Sequence, residues 1–390
     1  MNIKLERYSM SISYGHQQID EDDIRAVVEV LRSDFLTQGP VITEFEQAIC
    51  AFTGAKYCVC VANATAGLHI AVGALNLDEG CEGITSPNTF LASSNCLIYN
   101  HVRPVFADID PDTYNISPAE VLKHITKKTR VLIPVHFAGQ ACDMQELSNI
   151  AKKYSLRVIE DAAHAIGSQY SDGSYVGCCK YSDMTVFSFH PVKTITTGEG
   201  GAITTNDELL YRRLLKLRSH GITKDPAELT QNPGPWYYEM NALGFNYRMT
   251  ELQAALGVSQ MKKLVQFKRR RREIVHSYND AFKRLDWLKT PYEAEGLSSC
   301  FHLYVPQIDF VRICKTRKQV MGELNAKGIG TQVHYIPVHL QPYYKQNFGS
   351  KAGDYPKAES YYEHALSLPL YPGLSDSDVR LVIGAVSSLG

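Results

Sequence analysis

Thr185-Val186-Phe187-Ser188-Phe189-His190-Pro191-Val192-Lys193 is an apolar, strand-like run that ends in a proline-bearing turn and a lysine. Thr196-Thr197-Gly198-Glu199-Gly200-Gly201 follows it. Glycines there let the backbone bend sharply around a ligand. A lone lysine is by default a solvated surface residue. This one stands at a strand end with a turn-forming segment behind it, which is a placement rather than an accident of composition.

Outward from this stretch, strand-like and helical patterns alternate. Residues 157–159 read as a strand and open into Glu160-Asp161-Ala162-Ala163-His164. Residues 57–61 read as a strand, and 65–75 as the helix after it, with Asn63-Ala64-Thr65-Ala66-Gly67 at the junction. Further strands are expected at 103–107, 131–135 and 201–204, and helices at 19–33, 44–52, 90–99, 144–154 and 207–218. Such alternation means an α/β layer architecture with a mostly parallel sheet. Ligands of such sheets sit in the crevice beyond the strands' carboxyl ends. Residues 224–240, with Pro226, Pro233, Gly234 and Pro235, read as a loop, and 249–285 as one long helix. That helix bridges to a second domain with a strand at 301–306, a helix at 316–327 and a terminal helix from Asp376.

Composition narrows the function. The 390 residues suffice for two or three domains. Lys plus Arg is 40 and Asp plus Glu is 41, a balance that argues against nucleic acid and membrane surfaces as partners. The run Lys268-Arg269-Arg270-Arg271-Arg272 has Glu251, Glu273 and Asp280 nearby and reads as a solvated helix face. The ten cysteines form no C-x-x-C pair, so no zinc site is expected and a reducing, cytoplasmic compartment fits. Residues 1–13 lack the apolar core of a signal peptide. Tyr outnumbers Phe, 23 to 14, which suggests a polar cleft or interface.

The chemistry lies in an ordered set: Asp161, His164, Ser188 and Lys193. Asp161 also suits a helix N-cap. The junction around Ala64, Thr65 and Ala66 suits either an anion at a helix start or tight packing of that helix on the sheet. A strand-end lysine with an upstream aspartate suggests pyridoxal phosphate. Its aldehyde forms a Schiff base with a lysine, and an ionised aspartate keeps the pyridine nitrogen protonated. Phe90, in Pro87-Asn88-Thr89-Phe90, is a candidate to stack on the ring, or a simple core aromatic.

Together with Leu243-Gly244-Phe245-Asn246-Tyr247-Arg248-Met249-Thr250-Glu251, these patches resemble the sugar aminotransferases of the DegT/DnrJ/EryC1/StrS family. The resemblance spans nearly the whole chain, from Gln38-Gly39-Pro40 to Val333-His334-Tyr335-Ile336-Pro337. Within the family it is similar to the transaminases of pseudaminic acid biosynthesis. It implies the type I, aspartate-aminotransferase-like fold, α/β. A large cofactor domain would span residues 1–265, and a smaller α+β domain 266–390, including the end of the linking helix. It implies pyridoxal 5'-phosphate as cofactor and Lys193 as the Schiff-base lysine and general base. Asp161 would hold the pyridinium nitrogen, and His164 would lie near the phenolic oxygen. Ser188 and the backbone around Ala64, Thr65 and Ala66 would hold the phosphate, with Phe90 in the ring-stacking segment. Asn246 would reach the cofactor of a neighbouring protomer, so the active site would belong to a homodimer. Tyr14, Asp34, Phe35, Leu36, Thr37, His334 and Tyr335 would line the sugar-nucleotide site. The implied substrates are a UDP-linked 4-keto-6-deoxy-N-acetylhexosamine of the L-altro series and L-glutamate as amino donor. The family's usual phosphate loop has glycine where this chain has Ala64, as in the pseudaminic-type relatives. A non-catalytic regulator of this fold would carry an added DNA-binding domain, for which residues 1–14 are too few.

Overall fold

A computed structural model describes residues 12–390. The signal-peptide reading of residues 1–13 therefore falls almost wholly outside the described residues.

A seven-stranded sheet forms the centre. Its strands are β1 (Tyr57–Val61), β2 (Glu82–Thr85), β3 (Arg103–Phe106), β4 (Thr129–Ile133), β5 (Arg157–Asp161), β6 (Met184–Ser188) and β7 (Gly201–Thr205). They lie in the order β1-β7-β6-β5-β4-β2-β3. Only β7 runs antiparallel to its neighbours, β1 and β6. The helices of the amino-terminal half are α1 (Glu21–Leu31), α2 (Pro40–Thr53), α3 (Ala64–Ala74), α4 (Ala92–Tyr99), α5 (Pro118–His124), α6 (Met144–Tyr154) and α7 (Glu208–Arg218). After them come α8 (Glu251–Met261) and α9 (Leu264–Phe282).

Successive residues of a strand point to opposite faces, and both faces here are buried. Cys58, Cys60, Leu132 and Val158 join one apolar cluster with Phe45 of α2, Leu147 of α6 and Ala254 of α8. Val59, Val61, Val131 and Ile159 join another with Leu68 of α3, Leu97 of α4 and Leu214 of α7. This two-sided burial is why the strands read as continuous apolar runs rather than alternating ones. A further cluster runs from Ile274 to Leu389 and includes α10 (Arg317–Ala326) and α13 (Asp376–Ser387). The helices α11 (Pro342–Phe348) and α12 (Pro356–His364) pack back towards Phe106 and Ile109 respectively.

Several expectations need correcting. The single helix at 249–285 is two, broken at Lys262 and Lys263. Neither glycine nor proline marks the break. Lys263 is instead drawn to Asp20 and Asp23 at the start of α1, its ammonium 2.8 Å from the Asp23 carboxylate. α2 begins at Pro40, four residues before the expected start: Pro40 opens it, Ile42 already belongs to its buried face, and buried Glu251 of α8 caps it. That carboxylate accepts the Gly39 and Val41 N–H groups at 3.0 and 2.7 Å. The loop at 224–240 carries strand β9 (Glu239–Met240), paired with β8 (Ile222–Thr223). No strand forms at 301–306. The chain pairs there only through a bridge of Tyr304 to Leu368, before β11 (Gln307–Ile308) joins β10 (Leu288–Lys289).

The basic run is not a solvated face. Arg271 is 1% exposed, and its guanidinium donates to the carbonyls of Phe301, His302 and Leu370. Lys268 donates to Gly167 O and Ser298 O, and Arg272 to Ser299 O and Glu293. Only Arg269 stays largely in solvent. Many tyrosines are likewise core residues with satisfied hydroxyls, rather than cleft residues. Tyr278 donates to Pro369 O, Tyr361 to His334 O and Tyr344 to Asn95 Oδ1.

Candidate active site

Strand β5 delivers Asp161 at its carboxyl end, 5% exposed. Its two oxygens are held separately. Ser93 Oγ on α4 donates to Oδ2 at 2.6 Å, and Ala163 N donates to Oδ1 at 3.0 Å. Thr89 Oγ1 shares a 2.7 Å hydrogen bond with Ser93 Oγ, extending the chain of polar contacts. Strand alternation sends Glu160 to the other side. There it is fully buried and bound to His136 at 2.7 Å, to Tyr170 and to Ser182. One short strand end thus carries two carboxylates into separate surroundings.

The adjacent strand β6 ends at Ser188, and the turn after it brings Lys193 to the same cavity, its N–H on His190 O. Burial pulls the Lys193 ammonium down to about 8, with Asp161 working against the fall. Its amine therefore loses its proton far more readily than an ordinary lysine's, as a base or nucleophile requires.

The cavity, about 830 Å³, opens over these strand ends. The first turn of α3, Ala64, Thr65 and Ala66, forms part of its wall. Asn63 caps that helix through Ala66 N at 2.8 Å. Gly201 on β7 allows the helix start to come this close: a Cβ there would lie 2.7 Å from Ala64 N and from Asn63 C. Phe90 stands on the rim, 58% exposed. Tyr14, His334 and Tyr335 also line it, with the Tyr335 ring centre 6.1 Å from that of Phe90.

Three buried imidazoles gather beside the lysine. His164 Nε2 meets the Tyr335 hydroxyl at 3.0 Å, and His334 Nδ1 meets Ser367 Oγ at 2.7 Å. Burial, Lys193 and His334 hold His164 well below its usual range, and burial takes His334 down to about 4. His302, whose ring centre is 4.5 Å from that of His164, is also held low, first by burial. Near neutral pH the site thus presents uncharged imidazoles around one lysine.

The structure brings Lys193, Asp161, His164, Ser188, Ala64, Thr65, Ala66, Phe90, Tyr14, His334 and Tyr335 to one cavity. It leaves out Asn246 and the segment Asp34, Phe35, Leu36, Thr37. All five of those residues are exposed on this chain and line no part of that cavity. Sequence reading missed Ser93, Thr89, His302 and His69, whereas Tyr247, in a segment expected at such a surface, does line the cavity. Ser93 and Thr89 offered no helical-spacing signal, because Thr89 precedes α4 on irregular backbone. His302 offered none, because it arrives on irregular backbone.

The cavity fits a pyridine aldehyde phosphate. A helix start suits the phosphate, a fixed carboxylate suits a ring nitrogen, and a lysine of lowered basicity suits the aldehyde. The buried Nδ1 of His164 has no hydrogen-bond partner among the described residues, as expected where a polar ligand belongs.

Comparison with known proteins agrees. The model of the DegT/DnrJ/EryC1/StrS aminotransferase family matches residues 17–387. The spore coat polysaccharide biosynthesis protein SpsC of Bacillus subtilis is 41% identical over 379 residues, 97% of each chain. Among solved structures, Helicobacter pylori PseC, an aminotransferase involved in the biosynthesis of pseudoaminic acid, superposes with a TM-score of 0.90 at 32% identity. The match covers 97% of this chain and 99% of that one. The PMP form of Spr1654 from Streptococcus pneumoniae, described as a sugar aminotransferase, gives 0.90 at 31% identity, covering 97% and 98%.

Proposed function

The chain belongs to the DegT/DnrJ/EryC1/StrS aminotransferase family and is a pyridoxal-phosphate-dependent sugar aminotransferase, and we propose that it moves an amino group from L-glutamate to C4 of a UDP-4-keto-6-deoxy-N-acetylhexosamine of the L-altro type. The observation that carries the chemistry is Lys193, its basicity lowered by burial, in one cavity with the doubly held Asp161. The substrate assignment is supported by the likeness to PseC.

Bound pyridoxal phosphate supplies an aldehyde that exchanges amino groups and a ring that withdraws electrons. The chain's own residues do the rest. Asp161, fixed by Ser93 and Ala163, keeps a proton on the ring nitrogen. Ser188 and the first turn of α3 hold the phosphate, and Phe90 covers the ring. Lys193 Nζ would take a proton from one carbon in each half reaction and return it to the carbon on the far side of the intervening nitrogen, a 1,3-shift. His164, its Nε2 tied to Tyr335, would serve the phenolic oxygen. Tyr14, His334 and Tyr335 bound the sugar's space. Asn246 and the segment 34–37, which stay outside this chain's cavity, act at the site of a second copy in a homodimer. The large cofactor domain spans 1–265 and the small domain 266–390. The compartment is cytoplasmic; among the described residues no helix is long and apolar enough to cross a membrane.

A second reading has its own support. SpsC is more similar in sequence than PseC, 41% against 32%, and its name places it in spore coat polysaccharide biosynthesis. A different UDP- or dTDP-linked 4-keto sugar would then be the acceptor. The test is a panel of L-altro and D-xylo 4-keto nucleotide sugars offered with L-glutamate, products read by mass spectrometry and NMR. The L-altro substrate is expected to be aminated at least about 10-fold faster, the discrimination that roughly 1.4 kcal/mol provides. Preference for another sugar rejects the assignment in favour of the second reading. Lys193→Ala is expected to lose all turnover together with the visible absorbance of the bound cofactor.

A further inference from the structure

The segment from Ser298 to His302 joins no sheet beyond a single bridge of Ser298 to Gln169, yet its last residue lines the cavity. Three neighbouring side chains of α9 hold the rest of it. Lys268 takes the carbonyl of Ser298 at 3.2 Å, Arg272 that of Ser299 at 3.1 Å, and Arg271 those of Phe301 and His302 at 3.4 and 3.2 Å. Arg271 meets only carbonyls, including Leu370 O at 2.9 Å, although it is 1% exposed. Burying a guanidinium without a carboxylate is costly, so a site that keeps one needs the geometry it imposes. From the other side, Ser168 Oγ accepts Cys300 N at 2.9 Å, and Cys300 Sγ donates to the carbonyl of His164 at 3.0 Å. The segment is therefore fixed at both edges. What it delivers to the cavity is the imidazole of His302, 3% exposed and in tilted contact with that of His164.

We propose that His302 is a positioning residue for the transamination site: its ring braces His164, whose Nε2 meets the Tyr335 hydroxyl, and Arg271 of the basic run on α9 sets its place through the His302 carbonyl. The inference rests on the reading of the cavity as the cofactor site. His302 acts through His164 and the shape of the pocket. The titratable and charged groups facing His164 are Lys193, His302, His334 and Tyr335; Arg271 faces His302. Loss of the brace lets water and an altered ring angle reach His164, and this changes how the neighbouring lysine and cofactor titrate.

The test uses the holoenzyme without substrate and follows its visible absorbance against pH, then measures turnover. His302→Ala is expected to move the absorbance midpoint by at least about 0.5 pH unit, because a neighbour within a few ångströms shifts a buried group by that order. It is expected to lower kcat roughly 10-fold, with KM for the keto sugar within about threefold, the pattern of a misplaced group rather than lost binding. His302→Phe keeps a flat ring against His164 and is expected to titrate as the parent does. Arg271→Met is expected to shift the midpoint in the same direction as His302→Ala, and if it does not fold, the two His302 variants decide. A parent-like midpoint in His302→Ala overturns the proposal, as does a His302→Phe that behaves like His302→Ala. Absence of any visible absorbance in the parent would instead overturn the cofactor reading beneath it, so the two failures are separable.

Discussion

Burial sets the character of Lys193. In the cofactor-free protein its ammonium titrates at about 8 against a usual 10.5. Between those values the unfolded chain binds the extra proton, so stability rises with pH through that window. Below about pH 8 both states are protonated, and the whole cost of the buried cation is present. Lys193→Met removes the cation. Cofactor-free Lys193→Met is therefore expected to melt a few degrees above the parent at pH 7, with the margin narrowing towards pH 10. Calorimetric melting at both values checks this, and an equal margin at each contradicts it. At the same scale, the identities of Lys193, Asp161 and Ser188 were legible because each follows an apolar strand. The partners Ser93 and His302 were less so, since each meets its target across a large gap in sequence.

Among the elements, the approach of α3 to β7 shapes the phosphate end of the cavity. The α3 start lies against Gly201, and Gly67 lies against Val186 on β6, where a Cβ would come within 3.0 Å. At Gly201 a Cβ meets backbone, which cannot rotate away as a side chain can. Gly201→Ala is expected to cost about 1–3 kcal/mol, the usual price of overpacking. It is also expected to weaken cofactor affinity by roughly an order of magnitude or more by moving the α3 start. Urea unfolding and a cofactor titration of the apoprotein measure the two effects, and unchanged affinity would show that the α3 start does not set the phosphate site. The same elements show where pattern reading succeeds and fails. β1, α6 and the junction at Asn63 follow from local apolar runs and turns. The break between α8 and α9 does not, because Asp20 and Asp23 act on Lys263 from a distant part of the chain.

For the whole molecule, the proposed homodimer makes a quantitative prediction. Asn246 is exposed on its own chain, and the proposal sends it to the partner's cofactor phosphate. Lys193→Ala and Asn246→Asp homodimers are each expected to be strongly impaired. Subunits of the two, unfolded together and refolded in equal amounts, pair at random. Half the dimers are then mixed, and each mixed dimer has one site free of both changes. Recovery of about a quarter of the parent activity is expected from a closed two-fold assembly, and no recovery would place Asn246 at its own subunit's site. The charge balance belongs to this scale too. With 40 basic and 41 acidic residues the molecule offers a nucleotide sugar no long-range attraction, so the pocket must do the binding.

By itself the sequence determined the layered α/β fold, the family, the cofactor and the strand-end residues Asp161, Ser188 and Lys193. These depend on local periodicity and on side-chain chemistry carried at fixed places in the chain. Only the tertiary structure decided the lowered basicity of Lys193, the Ser93 contact with Asp161, the low-charge histidine cluster and the use of the basic run as a clamp on residues 298–302. Desolvation and hydrogen bonding depend on what is brought alongside a group in space, and no local pattern in the chain records that.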